Sequence, residues 1–150
     1  MKLVEASQDN AKGLTMIEII VAMAILSVIA GLGFWVSLEF YKTYNLDSEF
    51  NILTSALRKV RNLSMTNFNE SAHGIYIEPN RYVIFQGSSY VARNQSFDEI
   101  YEPLSVNFSG IGEAVFSQLS GDSSASGTIK INYETKNRQV FINYDGKIDW

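Results

Sequence analysis

The spacing of apolar and polar residues changes twice along the chain. From Ile19 to Leu38 there is no charged side chain, and only Ser27 and Ser37 are polar. A stretch of about 20 residues makes a helix of roughly 30 Å, the hydrocarbon thickness of a bilayer. Core helices of soluble proteins rarely stay apolar all round for this length, so the stretch is expected to span a membrane. A secretory signal has a shorter apolar core that ends at a small-x-small cleavage site. Here Ala22-Met23-Ala24 comes too early, and the residues after Ala30, "GLGFWVSLEFY", continue apolar. The span is therefore expected to be retained. Lys12 lies immediately before it, which points to an inside N-terminus and an exported remainder.

Beyond Leu38 the apolar positions take helical spacing. Leu46, Phe50, Leu53, Leu57 and Val60 recur at steps of four and three, and Ile52, Ala56 and Leu63 widen the same stripe. This predicts an amphipathic helix continuing the membrane helix, from Thr15 to about Thr66. The cap-type residues of "YNLDSE", Tyr44 to Glu49, mark the place where a break is expected if the two halves are separate. Arg58, Lys59 and Arg61 are expected on a solvated face, with a binding patch as the alternative.

From His73 onwards the period is two. "HGIYIE", "RYVIFQ", "LSVNF", "AVFSQL", "TIKINY" and "QVFINY" predict strands rich in Ile, Val, Tyr and Phe. Pro-Asn in "EPNR" and Asp-Gly in "DGK" supply turns, and "GDSSASG", Gly121 to Gly127, is expected to be a flexible loop without anchors. About 80 residues of β-structure make a marginal core alone, and packing the helix stripe on a sheet completes it. The expected fold class is α+β: a long N-terminal helix, part transmembrane and part amphipathic, packed on a C-terminal antiparallel β-sheet domain.

Composition narrows the chemistry. A net charge of −4 offers no electrostatic footprint for nucleic acid, and the absence of cysteine excludes disulfides, thiolate metal sites and cysteine nucleophiles. The one histidine, His73, has no second nitrogen or sulfur ligand to share a zinc ion. It is also the only base that a serine nucleophile could recruit, and no glycine-flanked nucleophile turn occurs. Asp98, Glu99 and Glu102 are candidates for paired-carboxylate chemistry, but before Pro103 they are expected to form a solvated acidic turn. With no P-loop or dinucleotide fingerprint, neither an enzyme nor a cofactor is expected.

Glu18 stands at the head of the apolar span, where a carboxylate is costly unless it is paired. Snorkelling to the headgroups is one explanation. Cleavage after Gly13 is another, because it would expose an α-amino group on Leu14 one helical turn before Glu18. Amine and carboxylate could then neutralise each other, within one chain or between neighbours.

"GLTMIE", Gly13 to Glu18, followed by an unbroken apolar helix, resembles the class III signal of type IV pilins and type II secretion pseudopilins. The family form is G-[FLM]-T-L-x-E; Leu14 stands for the commoner Phe and Met16 for the commoner Leu. The proline that major pilins carry in the second half of the span is absent, and Gly31 and Gly33 are the only weak points. The resemblance implies that a prepilin peptidase cuts after Gly13 and methylates Leu14. It also implies that Glu18 docks the subunit against the Leu14 amine of a neighbour. It divides the chain into a leader, 1–13; a transmembrane and assembly helix, 14–38; an amphipathic helix, 39–68; and an antiparallel β-domain, 69–150.

The later pattern is similar to the GspH/FimT-type minor pseudopilins. It comprises "LRKVRNLSM" near the helix end, "GIYIEPNRYVIFQ" after it, and an ending with Gly127, Ile129, Ile131, Gly146 and Ile148. The implied function is a minor pilin or pseudopilin, a structural subunit of a type IV pilus or type II secretion pseudopilus. The implied partners are the prepilin peptidase, other pilin or pseudopilin subunits and an inner-membrane assembly platform. The implied location is the inner membrane, single-pass, with the N-terminus cytoplasmic and the β-domain periplasmic or extracellular. The alternative is a DNA-binding minor pilin of a competence pilus. The ending "VFINYDGKIDW" lacks the basic tail that such a member needs, and stacking on Tyr133, Tyr144 and Trp150 would still require a positive groove.

Overall fold

The structure, a computed structural model, describes residues 13–103 and 106–150, leaving out the side chains of Trp35 and Val36. The chain divides into two compact units between Glu39 and Phe40. Helix α1 runs Met16–Met65, 50 residues, with no break through Tyr44–Glu49. Asp47 there bonds Arg138 Nε at 2.8 Å, and the cap-type residues leave the helical backbone uninterrupted.

In the first unit every described side chain from Leu14 to Phe34 is exposed. The helix is long and apolar enough to cross a membrane. Ser27, a polar group within the span, donates its hydroxyl to the Met23 carbonyl oxygen at 2.8 Å and so needs no partner outside the helix. Among the described residues of this unit nothing covers the apolar surface, which suits a lipid or helix-packed environment.

The second unit is built on the later half of α1. Leu46, Leu53, Ala56, Leu57 and Val60 are buried, and Phe50 packs against the same cluster. The helix ends where Asn67 takes a left-handed conformation, φ 56, a common way to stop a helix. Among the described residues eight antiparallel strands follow: β1 His73–Glu78, β2 Arg81–Gln86, β3 Glu99–Tyr101, β4 Asn107–Gly110, β5 Glu113–Phe116, β6 Gly127–Tyr133, β7 Lys136–Ile142 and β8 Ile148–Asp149. They form two sheets in place of the one expected, ordered β3-β2-β1-β5 and β4-β6-β7-β8. Ile75, Tyr82, Ile84 and Phe116 from the first sheet and Phe108, Ile129, Ile131, Val140 and Ile142 from the second share one core with the helix stripe. At about 25 cal/mol per Å² of apolar surface, this shared burial is the main term holding the small domain together.

Several expectations are corrected. Glu99–Tyr101, expected in an acidic turn, is strand β3, paired with Val83 and its neighbours on β2. "AVFSQL" is strand only to Phe116, because the chain turns at Leu119, φ 68. "LSVNF" becomes strand only at Asn107; Leu104 and Ser105 lie outside the described residues. "GDSSASG" has anchors after all. Ser123 is buried, bridges to Phe116, and its hydroxyl donates to the Ala125 carbonyl at 2.7 Å.

Candidate functional site

The sequence places its candidate site at the head of α1, and Thr15 organises that site. Thr15 is the last residue before the helix, and a helix start leaves backbone N–H groups without partners. The Thr15 backbone N–H donates to Glu18 Oε2 at 2.8 Å, and the Thr15 hydroxyl donates to the same oxygen at 2.7 Å. The Glu18 N–H returns a bond to Thr15 Oγ1 at 3.4 Å. This is a capping box, in which the first and fourth residues satisfy each other's backbone donors. Its signal in the sequence is the Thr-x-x-Glu spacing. Glu18 thus closes the start of its own helix.

Gly13 and Leu14 stand clear of the fold. A methyl group on Gly13 would meet nothing within 4 Å, and Leu14 is 76% exposed.

In the β-domain the other candidates are spoken for. Asp98 accepts from Arg93 Nε at 2.8 Å, Glu99 pairs with Lys59 at 2.6 Å, and Glu102 lies 3.5 Å from Arg81. The acidic trio is thus divided among three cations. The basic cluster on α1 is solvated at Arg58 and Lys59, as expected, with Arg61 half-buried, and it also makes contacts with the domain. Arg58 lies 4.4 Å from the Trp150 ring centroid, and Arg61 donates to the Gly121 and Asp145 carbonyl oxygens at 3.3 Å each. Tyr101, whose hydroxyl donates to Glu49 at 2.9 Å, ties β3 to α1. Burial, and then the Glu49 bond, push its phenol up to about 12.

His73 is only 3% exposed, its backbone N–H donates to Ser64 Oγ at 2.9 Å, and its Nδ1 makes no close hydrogen bond among the described residues. Burial lowers its pKa because the imidazolium would lose its hydration. Phe68, with ring centroids 6.0 Å apart, adds an apolar neighbour. The position suits a neutral core side chain. The three aromatics Tyr133, Tyr144 and Trp150 do not behave alike: Tyr133 packs against the core, while Tyr144 and Trp150 are each 66% exposed.

Two features have no signal in the local sequence pattern. Tyr76 and Tyr90 stack at 3.9 Å, with the Arg93 guanidinium 3.7 Å from the Tyr90 centroid, so the loop after β2 is clamped to β1. A groove of about 690 Å³ lies between Asp47, Phe50 and Asn51 of α1, residues Asn137, Arg138 and Gln139 of β7, and Trp150. Its walls come from residues far apart in the chain, which no periodicity connects.

Residues 8–34 match the family described as the prokaryotic N-terminal methylation motif. The match takes in Gly13, Leu14 and Glu18 together with most of the apolar half of α1. Neither the curated proteins nor the solved structures include a significant match to the chain. The N-terminal part of the chain thus carries the methylation motif, on an apolar helix that fits membrane anchoring and is followed by a C-terminal β-domain, which supports a type IV pilin-like reading.

Proposed function

We propose that the chain is a minor pilin or pseudopilin, a structural subunit that is inserted in the inner membrane, cut after Gly13, methylated on Leu14 and assembled into an envelope-spanning fibre. The methylation motif at residues 8–34 carries this reading. The exposed apolar side chains from Leu14 to Phe34 support it, since they need lipid before assembly and neighbouring helices after it. In the fibre these helices bundle while the β-domains face outwards. Glu18 leaves its own cap to meet the Leu14 amine of an adjacent subunit, which sets the axial register. The N-terminus is cytoplasmic and the β-domain lies beyond the membrane. No cofactor or catalytic group takes part.

The test is the N-terminus itself. Mass spectrometry of the protein from its native membrane is expected to give a chain that starts at methylated Leu14. Gly13→Val is expected to block cleavage without disturbing the fold, since nothing lies within 4 Å of the added carbon. An intact leader in cells with an active prepilin peptidase would overturn the proposal. Salt-dependent retention of DNA by the processed protein would instead favour the DNA-uptake alternative.

A further inference from the structure

Sheet edges expose backbone donors and acceptors, and natural proteins usually cover or guard them. Three of the outer strands here have such protection. Along β5, Ser124 donates its N–H to the Val115 carbonyl at 2.8 Å, and its hydroxyl accepts from the Val115 N–H at 3.0 Å. On β4, Phe108 donates to the Pro79 carbonyl at 2.7 Å. The short β3 is guarded by Glu99, Glu102 and Pro103. The fourth case is different. Strand β7 pairs with β6 over its whole length, but with β8 only at Phe141 and Ile142.

The direction of the free groups follows from the turn beyond β7. Asn143 donates its N–H to the Lys147 carbonyl at 3.1 Å, on the β8 side. Backbone groups alternate sides along a strand, so Phe141, Gln139 and Asn137 also direct their N–H and C=O groups away from β6. Among the described residues no strand lies beside Asn137 and Gln139 on that side. What lies there is the groove of about 690 Å³ walled by Asp47, Phe50, Asn51 and Trp150.

We propose that this edge is a strand-addition site, which takes an extended peptide segment of another polypeptide antiparallel to β7, in line with β8. Free backbone pairs at strand spacing call for a peptide backbone, the mode by which extended segments add to open sheets. The β8 pairing sets direction: the incoming segment has its N-terminal end near Val140 and Trp150 and its C-terminal end near Lys136. Side chains opposite Arg138 point to the face that carries Val140 and Ile142, over Phe50, and there an aliphatic residue fits. Arg138 is already neutralised by Asp47 at 2.8 Å, so the segment is uncharged.

The probe is the capped peptide Thr-Val-Thr-Val-Thr, added to the isotope-labelled full chain in detergent micelles. At about ten times the dissociation constant, amide hydrogen exchange at Asn137 and Gln139 is expected to slow roughly tenfold, with the Trp150 indole resonance shifting alongside. Gln139→Pro removes an outward N–H that makes no ladder bond, so the thermal melt is kept and protection at Asn137 is lost. Orientation provides a readout that does not depend on that variant: a spin label on the peptide N-terminus broadens Val140 and Trp150, and one on its C-terminus broadens Lys136. Unchanged exchange at both amides, protection at Glu99–Tyr101 instead, or the reversed broadening pattern would each overturn the proposal.

Discussion

A methyl group on Gly146 would lie 1.9 Å from the Gly121 carbonyl oxygen and 2.9 Å from Arg61 Nε, at a residue with φ +70. Gly146→Ala therefore combines a left-handed backbone with a collision against main chain, and is expected to cost about 2–4 kcal/mol in urea melts. The Asp-Gly turn is legible locally, whereas the contact with Gly121 is not, because two distant turns create it. Thr15 and Glu18 are the opposite case, since their spacing alone announces the capping box. His73 yields a pH prediction. Its folded pKa lies below the unfolded value, so protonation favours the unfolded chain. Its contribution is fully present above about pH 6.5 and is lost as pH falls through the folded pKa. Unfolding free energies at pH 7.5 and pH 5 are expected to differ less in His73→Gln than in the parent, and an equal difference would remove His73 from the account.

Among the elements, α1 was the most legible and β3 the least. The stripe from Leu46 to Val60 follows from spacing alone, and the structure buries it. Strand β3 has three residues, two of them exposed, too short for any alternation to show. The division into two sheets was equally hidden, since strand order depends on pairing across loops of no fixed length. The stripe also supplies the stability prediction. Leu57 is fully buried, whereas Ile52, at the margin of the same stripe, is 37% exposed. In a fragment spanning Phe40–Trp150, Leu57→Ala is expected to cost about 2–5 kcal/mol and Ile52→Ala less than about 1. Equal losses would mean that the sheets do not cover the helix as described.

For the whole molecule the question is why an apolar anchor begins with a carboxylate, and the capping box gives two competing answers. If Glu18 serves only its own helix start, a glutamine would serve too, because Gln fills that position of a capping box as well as Glu does. If Glu18 instead meets the Leu14 amine of a neighbour, its charge is what matters, and glutamine fails. An ion pair in a low-dielectric helix bundle gains little over apolar packing, yet parting the two charges is strongly unfavourable. Its contribution is therefore register: apolar helices can slide along one another, and a buried pair holds them at one offset. Under the assembly reading, Glu18→Gln and Glu18→Ala are both inserted and cleaved, and both are depleted in sheared fibres relative to their amount in the membrane. Under the capping reading, only Glu18→Ala is depleted. The ratio of Glu18→Gln in fibre to that in membrane decides between them, and a parental ratio for glutamine would confine Glu18 to its own helix.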